Sequence, residues 1–274
     1  MNRINVLLVS ISAIATFTVS PAKALTDCAD LPDHAAAQAA IVAAQAEANG
    51  GFGLHMWVTI VNRDGEVCVI AHSGADRGDQ WPGSRVISAQ KASTANAFSL
   101  PGLALSTANL WAATQPGGSL YGLQHSNPVD TAVAYGGPAV NHKGADADNY
   151  GTAIDPMTKN IVGGVNVFGG GLAIYNSAGD LLGALGVSGD SSCADHNIAW
   201  RVRDALGLDY VPGGVSVTGD DNIIFDTTVD AATGMAPSAG GFGHVACGVG
   251  VEAANAAVFA ACPLGDGATS GCTN

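Results

Sequence analysis

A cysteine, an aspartate and a histidine fall close together just after a glycine-rich stretch. Cys193, Asp195 and His196 occupy the first turns of a predicted helix, and Trp200 follows His196 by four residues. Residues three and four apart lie on adjoining faces of a helix. A thiol and an imidazole can bind a metal, hold a cofactor or move a proton. The spacing favours a small-molecule or cofactor pocket led by His196; a hydrogen-bonded core histidine and a disulfide at Cys193 are the structural alternatives.

Two further histidines are candidates for the same chemistry. His244 precedes Cys247 by three residues in a glycine-rich segment, a spacing that can serve a metal, although a disulfide at Cys247 is the alternative. We therefore treat His196 and His244 as candidate metal ligands. His125 lies in a long polar loop, where it is either a ligand or a solvated side chain.

Basic and hydroxyl side chains on an earlier helix could hold an anion. Lys91 and Thr94 lie in a segment of small residues, from which a lysine can reach a carboxylate. Arg85 precedes Lys91 by one or two helical turns and could assist it. The alternative for Lys91 is an ordinary exposed position.

Apolar periodicity and turn residues define the elements that carry these side chains. Hairpin turns are predicted at Asp64-Gly65 and at Asn176 to Asp180. Thr114–Asn160 is predicted to be a long loop, which in a compact domain is usually functional or an insertion. The predicted strands are His55–Asn62, Glu66–Ala71, Gly164–Tyr175, Leu181–Val187 and Asn222–Asp226; the predicted helices are His34–Asn49, Arg85–Phe98, a segment from Ser191 or Ser192 to Leu206, and Val251–Ala261.

Composition and the first residues bound the class of protein. The net charge of −13 argues against nucleic acid and anionic membranes as partners. Residues 1–24 have the basic start, the apolar core and the Ala22-Lys23-Ala24 site of a signal peptide. We therefore expect a periplasmic or secreted protein that starts near Leu25 and is not inserted in a membrane after signal removal.

The six cysteines all follow the predicted signal peptide. An even count in an exported chain predicts up to three disulfides, and six cysteines allow 15 pairings. Cys262 and Cys272 could close a small loop. Beyond residue 208 the chain is rich in Gly, Ala, Val, Thr and Asp, which predicts a C-terminal extension over 209–274, packed on a domain over 25–208.

Four segments in order resemble one family. They are the alanine-rich first helix, the hairpin Ile60 to Val67, the helix segment Ala89 to Ala95, and the closing hairpin with Phe168-Gly169-Gly170-Gly171 and Gly183 to Gly189. Together they resemble the GlcG/HbpS haem-binding family, which includes the C-terminal domain of some cobalamin adenosyltransferases. Departures occur after Asp64, at Ser73 to Asp76 and in the loop from Tyr121 to Asn160.

The resemblance implies an α/β (α+β) fold with a central antiparallel sheet flanked by helices, to which this chain adds a long inserted loop and the C-terminal extension. It also implies homo-oligomers and haem binding. The candidate cofactor-binding residues, chosen by their chemistry and position in this sequence, are His196, Cys193, Lys91, Thr94, Arg85 and His125. We expect the closing hairpin and the Lys91 helix to enclose a shared cavity.

Three functions remain open from the sequence. The first is an exported haem-binding protein that sequesters or senses haem or iron. The second is an enzyme acting on a small organic substrate, with His196 as general base and Lys91 as anion clamp. The third is an assembly module without a ligand, because alanine-rich helices suit subunit contacts.

Overall fold

The computed structural model describes residues 26–136, 147–266 and 272. The signal peptide predicted over residues 1–24 lies outside this range. The described chain forms a four-stranded antiparallel sheet in the order β2-β1-β4-β3. Its strands are β1 (Trp57–Asn62), β2 (Val67–His72), β3 (Gly171–Tyr175) and β4 (Leu181–Ser188). The sheet joins the two predicted hairpins by pairing β1 with β4.

Helices cover both faces of this sheet. The α-helices of the described residues are α1 (His34–Ala46), α2 (Ser84–Phe98), α3 (Trp111–Thr114), α4 (Leu123–Ser126), α5 (Thr131–Tyr135), α6 (Ser192–Ala205) and α7 (Val251–Ala261). Helix α2 packs on one face of the sheet, and α1 and α6 pack on the other. The architecture confirms the expected α+β fold with a central antiparallel sheet. None of the described helices combines the length and the apolar character that crossing a bilayer requires.

Alternation along β1 divides the core into two layers. Val58 and Ile60 belong to a buried cluster with residues of α1, α6 and α7. Trp57 and Val61, on the opposite face of the strand, pack in a second cluster with Val86 of α2. Successive strand residues point to opposite faces, so one strand serves both layers. The sheet is consequently buried on both sides.

Helix α2 lies so close to β3 and β4 that there is no room for a side chain at Gly171 or Gly186. A Cβ at Gly186 of β4 would lie 2.0 Å from the Ser88 carbonyl oxygen, and one at Gly171 would lie 2.5 Å from the Lys91 carbonyl oxygen. The closing hairpin and the Lys91 helix do pack together, as expected. The cavity expected between them is replaced by direct contact, because glycine lets the backbones meet.

Two local expectations need correction. Asn222–Asp226 forms no strand: its residues are irregular, although Ile224 O accepts a hydrogen bond from His244 N at 2.7 Å. An isolated backbone bond does not make a ladder. The long segment predicted as loop contains α4 and α5, and α5 is capped by the Asp130 carboxylate. A side-chain cap and a few local bonds suffice for such short helices.

Three disulfides link the described cysteines. The pairs are Cys28–Cys68, Cys193–Cys247 and Cys262–Cys272. The last closes the small loop that the sequence suggested. The first attaches the segment before α1 to β2, and the second attaches the C-terminal residues to the start of α6. Covalent links therefore hold the segment before α1 and the segment after α6 against the sheet and its helices.

Candidate functional site

The start of α6 holds a buried ion pair. Lys91 Nζ lies 2.6 Å from Asp195 Oδ2 and 3.0 Å from the Val187 carbonyl oxygen. Asp195 Oδ1 accepts backbone N–H groups from Gly189 and Asp190. Burial lowers the pKa of Lys91 and raises the pKa of Asp195 to about 6, against the mutual attraction of the pair. The expected exposed or anion-holding lysine is thus bound to a carboxylate of its own chain.

His196 follows Asp195 directly in α6 and is fully buried. Its Nε2 lies 3.2 Å from both the Asn222 Oδ1 and the Ile223 backbone nitrogen. Its Nδ1 has no hydrogen-bond partner among the described residues. Burial, with the nearby Arg203 cation, lowers the pKa of His196 to about 3. The ring is therefore neutral, and residues of the C-terminal segment cover it.

His244 lies beside the first residue of the same helix. Its Nδ1 is 2.6 Å from the Val245 carbonyl oxygen and its Nε2 is 2.8 Å from Ser192 Oγ. Ser192 Oγ also accepts the Gly169 N–H at 2.7 Å. Burial lowers the pKa of His244 to about 4. Cys193, which follows Ser192 in α6, forms the disulfide with Cys247, so its sulfur is not a thiolate here.

The remaining predicted residues lie elsewhere. Thr94 is buried on α2, where Oγ1 donates to the Gln90 carbonyl oxygen and accepts the Asn166 N–H. His125 is exposed on α4. Lys91, Cys193, His196 and His244 are brought together around the start of α6, whereas Thr94, His125 and Arg85 are not part of that group. The roles proposed for these residues stay predictions.

A cavity of about 440 Å³ lies at the first turn of α2. Arg85 lines it together with an aromatic set and a second arginine: Trp57, Tyr135, Tyr150 and Arg77. Trp57 is buried in β1, and its indole N–H donates to the Trp81 carbonyl oxygen at 3.0 Å. Tyr135 is 59% exposed at the end of α5. The volume falls within the range of small-molecule and cofactor sites.

The two arginines of this cavity differ in how firmly they are held. Arg85 is buried and forms a bidentate pair with Asp155, with Nε 2.8 Å from Oδ2. Its guanidinium lies 3.8 Å from the centre of the Tyr150 ring. Arg77 pairs with Asp148 at 3.0 Å on the surface. Exposed ion pairs are weak, so Arg77 can exchange its partner for a ligand carboxylate.

Sequence reasoning selected Arg85 but missed the aromatic residues around it. Trp57 could have been singled out as a large aromatic at the start of a predicted strand. Tyr135 and Tyr150 lie in the segment predicted as a loop, where nothing in the local pattern indicates that they would converge on α2. The contact of Ser192 with His244, 52 residues away, likewise has no local signal.

These features define an α+β protein with a buried four-stranded antiparallel sheet and an aromatic, arginine-lined cavity beside α2. The sequence model of the HbpS-like family, described as "Haem degrading protein HbpS-like", matches residues 33–203. The chain belongs to this family, as the sequence motifs indicated. No curated protein matches it.

Three solved structures that are similar to this chain are described by their identity and coverage. The Klebsiella pneumoniae protein ORFY is 23% identical with a TM-score of 0.43, covering 69% of this chain and 96% of its own. The PduOC–haem complex is 23% identical with a TM-score of 0.40, covering 62% and 89%. A double mutant of Streptomyces reticuli HbpS is 18% identical with a TM-score of 0.37, covering 73% and 99%.

Proposed function

We propose that this protein binds haem in the cavity lined by Trp57, Arg77, Arg85, Tyr135 and Tyr150. The observation that carries the proposal is membership of the HbpS-like family over residues 33–203, a span that contains every residue lining this cavity. The family description supplies the ligand class, and the cavity supplies a place for it.

The cavity has the chemistry that haem requires. A porphyrin is a flat, largely apolar ring with two carboxylates at one edge. Trp57, Tyr135 and Tyr150 offer aromatic surface for the ring. Arg77, held only by a surface ion pair, can meet a propionate at the mouth. Arg85 is neutralised by Asp155 and mainly fixes the Tyr150 ring by stacking.

An axial donor is available among the same residues. Tyrosine is one of the side chains that ligate haem iron. Tyr135 and Tyr150 both line the cavity, and Tyr135 is the more exposed of the two. Bound haem would supply the iron chemistry, and the protein would hold the ring and its carboxylates.

A second location for the same ligand is the start of α6. His196, Cys193, Lys91 and Thr94 were proposed from sequence as its ligands. His196 is covered by Asn222 and Ile223, and Lys91 is bound to Asp195. Haem could reach His196 only after the C-terminal segment moved. The enzyme alternative meets a related difficulty, because a histidine with a pKa of about 3 is a weak base at neutral pH.

A haem titration of the purified protein, followed through the Soret band, tests the proposal. We expect the unchanged protein to bind haem saturably. If Tyr135 or Tyr150 is the axial donor, replacing that tyrosine by Phe should change the Soret spectrum of the bound haem. Arg77→Gln should weaken binding up to about fivefold, the magnitude of a surface charge contact.

His196→Gln and His125→Gln are the matched controls. Both should bind haem as the unchanged protein does, if the ligand enters the cavity beside α2. No Soret change in the unchanged protein overturns haem binding altogether. Loss of binding in His196→Gln, with the tyrosine and Arg77 variants unaffected, would move the ligand to the start of α6.

We also propose that the protein is exported to the periplasm or outside the cell. Three disulfides support this, because such bonds persist in oxidising compartments. The proposed division is a signal peptide over 1–24, a domain over 25–208 and an extension over 209–274. N-terminal sequencing of protein isolated from its native compartment should begin near Leu25; a chain that still starts at Met1 would contradict export by this signal.

A further inference from the structure

Two sulfurs and an imidazole converge where the C-terminal segment meets the start of α6. The Sγ atoms of Cys193 and Cys247 and a ring nitrogen of His244 all lie within 4.8 Å of one another. Cys193 and His244 are buried. None of these three residues lines the proposed haem cavity, and His244 and Cys247 lie beyond the span that matches the family.

Each ring nitrogen of His244 has a hydrogen-bond partner that orients the ring. Val245 O contacts Nδ1 at 2.6 Å, and Ser192 Oγ contacts Nε2 at 2.8 Å. Whichever nitrogen takes a metal, the other keeps a hydrogen-bond partner that fixes the ring. Such an outer partner is usual for metal-ligating histidines. A neutral imidazole carries one proton, and its unprotonated nitrogen can bind a metal directly when the proton is on the other nitrogen.

A backbone donor and a helix N-terminus favour thiolates at these sulfurs, against the burial of Cys193 in an apolar cluster. The Cys193 N–H donates to Cys247 Sγ at 3.1 Å. Both sulfurs lie at the first turn of α6, a helix of 14 residues whose N-terminus favours negative charge. A cysteine pair in this position becomes a pair of metal ligands when the disulfide is reduced.

We propose that reduction of the Cys193–Cys247 disulfide opens a Zn²⁺-type metal site formed by Cys193, Cys247 and His244. A dithiol reductant supplies two electrons and two protons, becomes a disulfide itself, and leaves two protein thiols. Binding of one divalent ion then releases the two thiol protons. A small-molecule disulfide reverses the process: it accepts the two electrons of the thiolates, takes up two protons to become a dithiol, and leaves the protein disulfide and the released ion.

The distances suit such an ion. Tetrahedral zinc sites with bonds of about 2.0–2.3 Å place their donor atoms roughly 3.3–3.8 Å apart. The three donors are already within 4.8 Å, so the main movement needed is separation of the two sulfurs. Two thiolates and one imidazole leave a fourth position for water or for the hydroxyl of Ser192, which neighbours His244.

The test uses the full-length protein and Co²⁺ as a coloured probe of tetrahedral thiolate sites. A phosphine, which takes up an oxygen from water as it reduces the disulfide, avoids a competing thiol chelator. We expect reduced protein to bind one Co²⁺ with thiolate charge-transfer bands, Zn²⁺ to displace it, and oxidised protein to bind neither ion at this site.

Variants locate the ion. His244→Gln keeps all six cysteines and should weaken Co²⁺ binding more than about tenfold, whereas His125→Gln should leave it unchanged. Replacing both Cys193 and Cys247 by Ser should abolish the bands; replacing both Cys28 and Cys68 should not. Circular dichroism of each reduced variant checks that the helices persist.

Several results would overturn the proposal. One is reduced protein that binds no stoichiometric Co²⁺. Loss of the helices on reduction would count against the proposal in the same way. Another is Co²⁺ binding by His244→Gln, or by the Cys193/Cys247 double variant, as tight as in the unchanged protein. Equal binding by oxidised and reduced protein would show that the disulfide does not control the site.

Discussion

Individual buried polar residues around α6 are stabilised by specific partners. Arg203 pairs with Asp221, with Nη1 2.7 Å from Oδ2, and both side chains are fully buried. Lys91 and Asp195 form a second buried pair. Removing one member of such a pair strands a charge, at a cost of about 3–5 kcal/mol. These residues hold the helices and the C-terminal segment in place, whatever ligand the protein takes.

The unfolding free energy should depend on pH through His196. Its pKa is lowered from an ordinary 6.5 to about 3, so in this range the unfolded chain binds a proton that the folded chain does not. Stability should therefore fall as the pH drops from about 6.5 towards 3, by up to about 1.4 kcal/mol per pH unit. Urea unfolding of the unchanged protein and of His196→Gln at several pH values measures this; the variant should have the shallower slope.

Two neighbours shape the same profile. His244, with its pKa lowered to about 4, acts in the same direction as His196. Asp195, with its pKa raised from 3.8 to about 6, acts in the opposite direction between those values, because there the folded chain binds the extra proton. His125→Gln controls for the loss of one exposed imidazole. Identical slopes in His196→Gln and the unchanged protein would refute the assignment.

At the scale of elements, the packing of α2 on the sheet depends on small residues. Ala89, Ala92 and Ala95 are buried against the sheet, and Gly171 and Gly186 face the same helix from β3 and β4. Close packing leaves no room for larger side chains at such positions. The small-residue composition of both segments thus determines how near the helix lies to the strands.

Gly186→Ala should destabilise the protein strongly. The added Cβ would lie 2.0 Å from the Ser88 carbonyl oxygen and 2.5 Å from the Ala92 nitrogen, which are backbone atoms that cannot rotate away. Overpacking of this severity costs about 3 kcal/mol or more. Denaturant unfolding measures the loss. Gly102→Ala, where the Cβ meets nothing within 4 Å, is the control; equal stability of the two variants would contradict the close approach.

At the scale of the whole molecule, the C-terminal segment completes the core rather than hanging from it. Trp200 of α6 donates its indole N–H to the Cys262 carbonyl oxygen, and Val258 of α7 joins the core cluster of α1 and α6. Asn255 of α7 contacts Asn197 of α6 and Asn222. Apolar and polar contacts act together with the Cys193–Cys247 bond. The homo-oligomer that the family resemblance implies stays a prediction, which light scattering of purified protein would measure.

The sequence by itself determined most of the elements and indicated the family; the exceptions are α4 and α5, which fall in the segment predicted as a loop, and Asn222–Asp226, which forms no strand. Helix α7 was predicted with its observed bounds, and the hairpin at Asp64-Gly65 and the helix after Ser191 are close to the predicted positions. These features depend on apolar periodicity, turn residues and caps, which are properties of neighbouring residues. Family membership followed from four ordered motifs, each of which is also local.

Only the tertiary structure decided which side chains meet. The Cys28–Cys68 and Cys193–Cys247 disulfides, the Lys91–Asp195 ion pair and the contact between Ser192 and His244 join residues from 40 to 104 positions apart. The same holds for the cavity in which Trp57, Arg85 and Tyr150 converge. Long-range contacts are selected by the packing of whole elements and by the burial of charge, and no local pattern encodes that choice.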